Sequence, residues 1–301
     1  RMGKFVLDIT TVDKRDIDIV GKYAAELGEL SRIGIPIAAG FVVTAHSFQD
    51  FLVENKLAPT TSSEKQIMHA SMPKEMISQI YKAYKNLDHP FKESKVIVTP
   101  SSPFSFKDIR YEVKGDANLI LKIKEIWSRQ FSKITLLETK AHEFGNLSRL
   151  DVAIVVQKKV DLRKRGTMFT QDPLTSDKTK IIIEQDEHEH SRYIVSKRDL
   201  KILFKSHQTK VKKSQMISHV QVRTLSHFAI VLQRHFYFPQ EIKFSIDDNI
   251  IYILSTKPMT QVISKSSPEL HHAQSFPLPS SPLHYPKHHY REHKRHILLK
   301  G

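Results

Sequence analysis

From Val152 to Glu184 the chain alternates short apolar runs with polar turns. Val152-Ala153-Ile154-Val155-Val156 comes first, then a basic turn ending at Arg165, a run through Gly166, Met168 and Phe169 stopped by Asp172-Pro173, and finally Ile181-Ile182-Ile183. Apolar runs this short, β-branched and bounded by turn residues, read as strands. Three in succession predict an antiparallel meander in an α+β domain. Upstream, the pattern predicts a strand over 4–9 and a helix over 16–33 with Ile19, Tyr23, Leu27 and Leu30 on one face. A strand over 40–43, a helix over 45–55 with Thr44 as N-cap, a helix from 73 to 87, a strand over 95–99 and a long helix over 116–140 follow. Downstream come a strand and hairpin over 197–205, an amphipathic helix over 222–236 and a hairpin over 238–260.

Composition narrows the class. A chain of 301 residues allows one large domain or two lobes around a cleft, and 40% hydrophobic content furnishes a proper core. The absence of Cys excludes disulfides, thiolate metal sites and a Cys nucleophile. No apolar run approaches the ~20 residues that span a bilayer, and no signal-peptide core is visible, so a cytoplasmic protein is expected. The formal charge of +15 favours anionic partners, but it is spread along the chain, which speaks for a solvated basic surface over a nucleic-acid face. Nine glycines are few for a protein that cradles phosphates, since glycine supplies the positive-φ turns of such loops.

The segment VGKYAAELGELSRIGIPIAAGFVVTAHSFQDFL, the strands VVQKKV and GTMFTQDPLTSDKTKIIIE, and the hairpin FPQEIKFSIDDNIIYILSTKPMT carry a resemblance. They are similar to the N-terminal nucleotide-binding region of the phosphoenolpyruvate synthase, pyruvate phosphate dikinase and rifampicin phosphotransferase family. There the corresponding wording is VGGKNASLGEL, VVQxMV, GVMFTxDPxTG, IIEA and PQDIEWAIDxxxLYILQSRPIT. The resemblance implies an ATP-grasp-like α+β fold, with mixed and antiparallel sheets, flanking helices and two lobes (1–150 and 151–264) around a nucleotide cleft. It implies ATP as ligand, with Lys22 near the phosphates, Lys140 supplying a further charge, and Gln157, Val160, Met168 and Glu184 on the nucleotide wall.

The charged positions depart from the family wording. Pro100 stands where a phosphate-gripping Arg is expected, and proline offers neither charge nor N–H. Lys243 and Ser255 occupy the places of the two magnesium ligands, a Glu and a Gln, and Lys257 replaces the Arg that follows. An ammonium has no lone pair for a metal, and magnesium demands hard oxygen ligands, so magnesium use is doubtful. The glycine-rich GLGE loop is replaced by residues 186–190. His188 and His190 are competent metal-ligand types there, but no third and fourth ligands follow at zinc spacing, and a solvated polar turn is expected. Residues 265–301 hold seven of the seventeen His and five of the fourteen Pro without helix or strand periodicity, which predicts a disordered tail.

These features predict an ATP-binding module with weakened or lost catalysis, a pseudoenzyme or partner subunit. Separate phosphohistidine or phosphoenolpyruvate-binding domain proteins are its expected partners. An active phosphotransferase (kinase) with an altered lysine-rich site using Lys22, Lys140, Glu184, Lys243 and Lys257 is the first alternative. A basic nucleic-acid-binding protein is the second.

Overall fold

Among the described residues, two antiparallel sheets and six α-helices divide the apolar positions. The computed structural model describes residues 5–58, 62–87, 93–102, 109–138, 152–162, 164–185, 191–206 and 216–259. Lys140, the 186–190 loop and the 265–301 tail lie outside them. In chain order the elements are β1 (Val6–Asp8), α1 (Ile17–Arg32), β2 (Gly40–Val43), α2 (Ala45–Glu54), α3 (Glu64–His69), α4 (Lys74–Lys85), β3 (Lys95–Ser101), β4 (Tyr111–Lys114), α5 (Asp116–Glu138) and β5 (Ala153–Lys158). Then follow β6 (Arg165–Phe169), β7 (Lys180–Gln185), β8 (Arg192–Ser196), β9 (Ile202–Ser206), α6 (His219–Phe236), β10 (Gln240–Asp247) and β11 (Ile250–Pro258). The α+β class expected from the sequence is present. No described helix is long and apolar enough to cross a membrane.

The first sheet runs β1-β2-β5-β3-β4 and the second β11-β10-β6-β7-β8-β9. The meander expected over 152–184 does not form as one sheet: β5 inserts between β2 and β3, and only β6 and β7 continue into the second. The physical reason lies in β5's apolar run. Ile154 and Val156 pack with Phe48, Ile80 and Trp127 on one face, while Ala153 and Val155 pack under α1 with Val20, Ala24 and Leu27 on the other. A strand covered on both faces is the central strand of a sheet, whereas β6 alternates. Every described ladder is antiparallel, so the mixed pairing expected alongside it does not occur among the described residues.

Trp127 is a core residue, as its apolar neighbourhood in the sequence suggests. It is fully buried with the rings of Phe48 and Phe51 5.2 and 5.3 Å away, and its Nε1 donates to the Val152 carbonyl at 3.3 Å. Thr44 precedes α2 as expected, but its side chain makes no capping bond to the helix backbone; its Oγ1 lies 3.0 Å from Ser47 Oγ.

One face of the second sheet packs on α6. Val222, Leu225, Ala229 and Leu232 recur at helical spacing and meet Met168, Ile181, Ile183, Tyr193, Val195, Ile242 and Phe244. Leu30 at the end of α1 and Ile35 beyond it join this same core, and the Ile253 N–H donates to the Pro36 carbonyl at 2.9 Å. Polar contacts reinforce the junction. The nearly buried carboxylate of Glu29 receives Arg32 at 3.2 Å and lies 3.0 Å from Nε2 of His235 on α6. Arg32 also reaches the buried Asp13 carboxylate at 3.2 Å. Truncating Arg32 would leave two nearly buried carboxylates less well matched.

Gly21 and Ser176 are two of the backbone positions that forbid a side chain or strain one. Gly21, at φ +74°, breaks α1 into a first turn and a longer second part, and a Cβ there would sit 2.3 Å from the Ser101 carbonyl carbon. We expect Gly21→Ala to destabilise the protein by roughly 3 kcal/mol, combining backbone strain with overpacking; a denaturation midpoint equal to the parent's would contradict this. Ser176 adopts φ +60° in the 172–177 turn, where the family wording has Gly. Left-handed backbone costs a non-glycine residue about 1–2 kcal/mol, and glycine gives back about 0.5–1 through the unfolded chain. Ser176→Gly is therefore expected to raise stability by roughly 0.5 kcal/mol, read as a small rightward shift of the same midpoint.

Candidate functional site

Because side chains alternate along a strand, the face of the second sheet opposite α6 is fixed by register. Across it the Cα partners align Ser255 with Lys243, Lys243 with Thr167, Thr167 with Glu184, Glu184 with Arg192 and Arg192 with Ser206. One polar row thus crosses six strands. The adjacent row aligns Lys257 with Glu241, then Phe169, Ile182, Ile194 and Phe204. It is apolar over four strands, with Phe204 half exposed at its end. Arg165 and Ser245 are partners in the row beyond.

The sequence-predicted residues divide on this frame. Lys243 and Glu184 lie in the same row, separated by Thr167, so two strand spacings of about 4.8 Å set their backbone separation. Lys257 stands in the neighbouring row and pairs with Glu241 at 3.0 Å. Met168 belongs to the other face. It is fully buried among the residues under α6 and, contrary to expectation, does not line the open face.

Gln157 and Val160 belong to the first sheet and its exit rather than to this wall. Gln157 is committed to structure: its Oε1 accepts from Tyr23 Oη at 3.2 Å and its Nε2 donates to the Ala38 carbonyl at 3.0 Å. Val160 is half-buried in the connection from β5 to β6.

Lys22 opens the second part of α1, beside the end of β3. The N–H of Lys22 donates to the Ser102 carbonyl at 3.1 Å, and that of Ala24 to Ser101 Oγ at 3.1 Å. The chain's own oxygens thus take N–H groups that would otherwise be offered to an anion at a helix start. The Lys22 ammonium is half-exposed and lies 3.9 Å from Glu26 on its own helix. Burial pushes the Glu26 carboxyl above its ordinary range and Lys22 opposes it. The end of α1 that joins the second sheet is the far one, and it enters on the α6 side.

Arg192 and Thr167 were not singled out from the sequence. Arg192 sits between two carboxylates, 3.5 Å from Glu184 and 3.9 Å from Asp172, and its buried Nε makes no hydrogen bond. Burial pushes Asp172 up, but the N–H groups of Leu174 and Thr175, the Thr175 side chain and Arg192 together hold it below the usual carboxylate range. Only the pairing of β7 with β8 could have revealed Arg192, because the intervening loop departs from the family wording.

The donor set can be tested against the ligands that the resemblance implies. For magnesium it fits poorly. The row offers one carboxylate, Glu184, already beside a guanidinium, and the expected ligand positions hold an ammonium and a hydroxyl. Among the described residues no three His, Asp or Glu side chains converge as a metal site. A polyanion suits it better: Lys243 is exposed and has no acidic partner among the described residues, and an apolar row lies alongside, while the buried Nε of Arg192 already faces Glu184 at 3.5 Å.

Comparison with known proteins agrees with the sequence resemblance. The family described as "Pyruvate phosphate dikinase, AMP/ATP-binding domain" matches residues 17–187, more than half of the chain. A probable phosphoenolpyruvate synthase of Methanocaldococcus jannaschii is 24% identical, the match covering 85% of this chain and 27% of that protein. The phosphoenolpyruvate synthase of Aeropyrum pernix is 28% identical over 66% of this chain and 29% of its own length. The rifampicin phosphotransferase of Bacillus cereus is 23% identical over 86% and 36%. The chain therefore spans between a quarter and a half of the length of these relatives. Among solved structures, D-alanine–D-alanine ligase from Helicobacter pylori superimposes with a TM-score of 0.36 at 14% identity, covering 79% of this chain and 54% of the ligase, too loosely to add to the argument. The aligned strands, the hairpin wording and the family match lead to one conclusion: this chain belongs to the pyruvate phosphate dikinase AMP/ATP-binding domain family.

Proposed function

We propose that the open face of the second sheet binds ATP without magnesium and that phosphoryl transfer is weakened or lost. The observation that carries this reading is the pair of adjacent cross-strand rows, one polar with two cations and one apolar. Phe169 and Ile194, partly exposed on either side of the fully buried Ile182, offer an apolar bed for a base. Lys243 and Arg192 offer charge to phosphate oxygens one row away, about 6–7 Å along the strands, a nucleotide-like division of chemistry.

The metal positions support the second half of the reading. Relative to a carboxylate, an ammonium at Lys243 turns attraction for a divalent ion into repulsion, roughly 4 kcal/mol per unit charge at 4 Å and effective dielectric 20. The same ammonium attracts a phosphate directly. Lysine thus supplies part of the charge that the ion would otherwise bring, but as one fixed point donor. Phosphoryl transfer needs the ion to bridge two phosphates and neutralise the leaving oxygen, which one ammonium does not do. An active phosphotransferase remains the rival reading, because Glu184 and Lys243 share a row in which a carboxylate and a cation face one ligand.

Isothermal titration of ATP into the full chain separates these readings. We expect binding in EDTA at least as tight as with magnesium, and Lys243→Ala to weaken it roughly tenfold. Restoring the family wording with Lys243→Glu and Ser255→Gln together is expected to make binding depend on magnesium. A strict magnesium requirement in the parent, or no heat at millimolar ATP, would sink the proposal. ATP-dependent phosphate release that disappears in Glu184→Gln would favour the phosphotransferase.

A further inference from the structure

On the α6 side of the second sheet, away from the polar row, the end of α6 and the turn after β8 form an open cavity of about 420 Å³ lined by Lys197, Ile230, Gln233, Arg234 and Tyr237. Its size falls within the range of small-molecule sites, about 300–1,000 Å³. Three observations distinguish it from an incidental groove. Lys197 is held in place, its Nζ donating to Gln233 Oε1 at 2.7 Å. Burial pushes its ammonium below the usual lysine range, with Asp177 opposing, so an added anion would relieve a desolvated charge.

Arg234, on the next turn of the helix from Ile230, has no acidic partner among the described residues. Two cations therefore line one concavity. The end of a helix presents about half a negative charge, which an arginine there ordinarily complements. Two full positive charges exceed that, and the cavity keeps a net attraction for anions.

Tyr237 supplies the third observation. It closes α6 in the left-handed conformation at φ +61°, a position where glycine is the ordinary residue, and 87% of it is exposed. An aromatic ring held there gains little packing to offset the backbone cost of about 1–2 kcal/mol. Such an outlier at a cavity rim points toward a ligand.

We propose that this cavity is a second binding site, for a small planar organic anion whose phosphate or carboxylate meets Arg234 and Lys197 and whose ring lies on Tyr237. It is separate from the open-face nucleotide site, since α6 covers the opposite side of the sheet. A phosphate monoester and a carboxylate share the anionic chemistry, and the probes below separate them.

The test is calorimetric titration of phenyl phosphate, benzoate and the non-planar cyclohexyl phosphate into the full chain in EDTA. Phenyl phosphate is expected to bind saturably and more tightly than cyclohexyl phosphate. The stronger of phenyl phosphate and benzoate identifies the headgroup. Arg234→Gln should weaken the better planar probe roughly tenfold. Tyr237→Gly should weaken it roughly threefold without affecting cyclohexyl phosphate. Glycine suits this backbone, so an unchanged or raised melting temperature will show that Tyr237→Gly is folded. Lys243→Ala should leave binding of the planar probe unchanged, whatever the fate of ATP at the open face. Undiminished affinity in Arg234→Gln or Tyr237→Gly, loss in Lys243→Ala, or no saturation below about 10 mM would each overturn the proposal.

Discussion

The second sheet depends on the register of β6, held between β10 and β7. Gly166 has no side chain because there is no room for one: a Cβ would lie 2.2 Å from the Glu184 carbonyl oxygen and 2.7 Å from the Phe244 ring. Both neighbouring strands therefore close on that point. At the other end of β6, Thr170 and Gln240 lock the register, the Thr170 N–H donating to the Gln240 carbonyl at 3.0 Å and the Gln240 N–H to Thr170 Oγ1 at 2.9 Å. A slip of one residue would turn Thr167 and its row toward α6 and Met168 outward. Burying Glu184 and Arg192 under an apolar helix costs several kcal/mol each, so the register and the exposure of the polar row are one constraint.

The same constraint explains how charge is apportioned on the open face. Its carboxylates are already engaged: Glu184 with Arg192, Glu241 with Lys257, and Asp172 with the N–H groups of its own turn. Asp247, at the end of β10, accepts from the Asp161 N–H at 2.9 Å and so anchors the connection from β5. What is left over is cationic. A surface whose acids are spent internally attracts anions and offers little to a divalent metal, which follows from placement and not from the net charge of the whole chain.

Local patterns reached some of this and missed the rest for identifiable reasons. Helix α6, α1 and the β10–β11 hairpin were legible because their apolar periodicities are strong and locally bounded. The membership of β5 was not, since a continuous apolar run marks a strand covered on both faces but says nothing about which strands flank it. Family wording points to Lys243 and Glu184 separately, and only the pairing of β6 with both neighbours puts them in one row. Met168 does not share the open face with its motif neighbours, because alternate residues of one strand belong to opposite faces. Arg192 escaped because it lies next to a loop that departs from the family pattern. Arg234 and Tyr237 escaped because nothing in sequence links a helix end to the turn after β8.

Alternation also accounts for the coexistence of a retained framework with changed charged positions. Replacing Met168 or Phe244 with alanine would remove fully buried side chains and cost about 2–5 kcal/mol, a large share of the stability of a typical domain. Lys243 is exposed one position away on β10, where a change of charge is nearly neutral for folding. A residue facing the core answers to packing, and its neighbour on the same strand answers only to what binds. The expected magnesium ligand could thus become an ammonium while the strand that carries it kept its length, register and core contacts. The departure from the family wording at Lys243 thus lies on the face where the fold does not resist it.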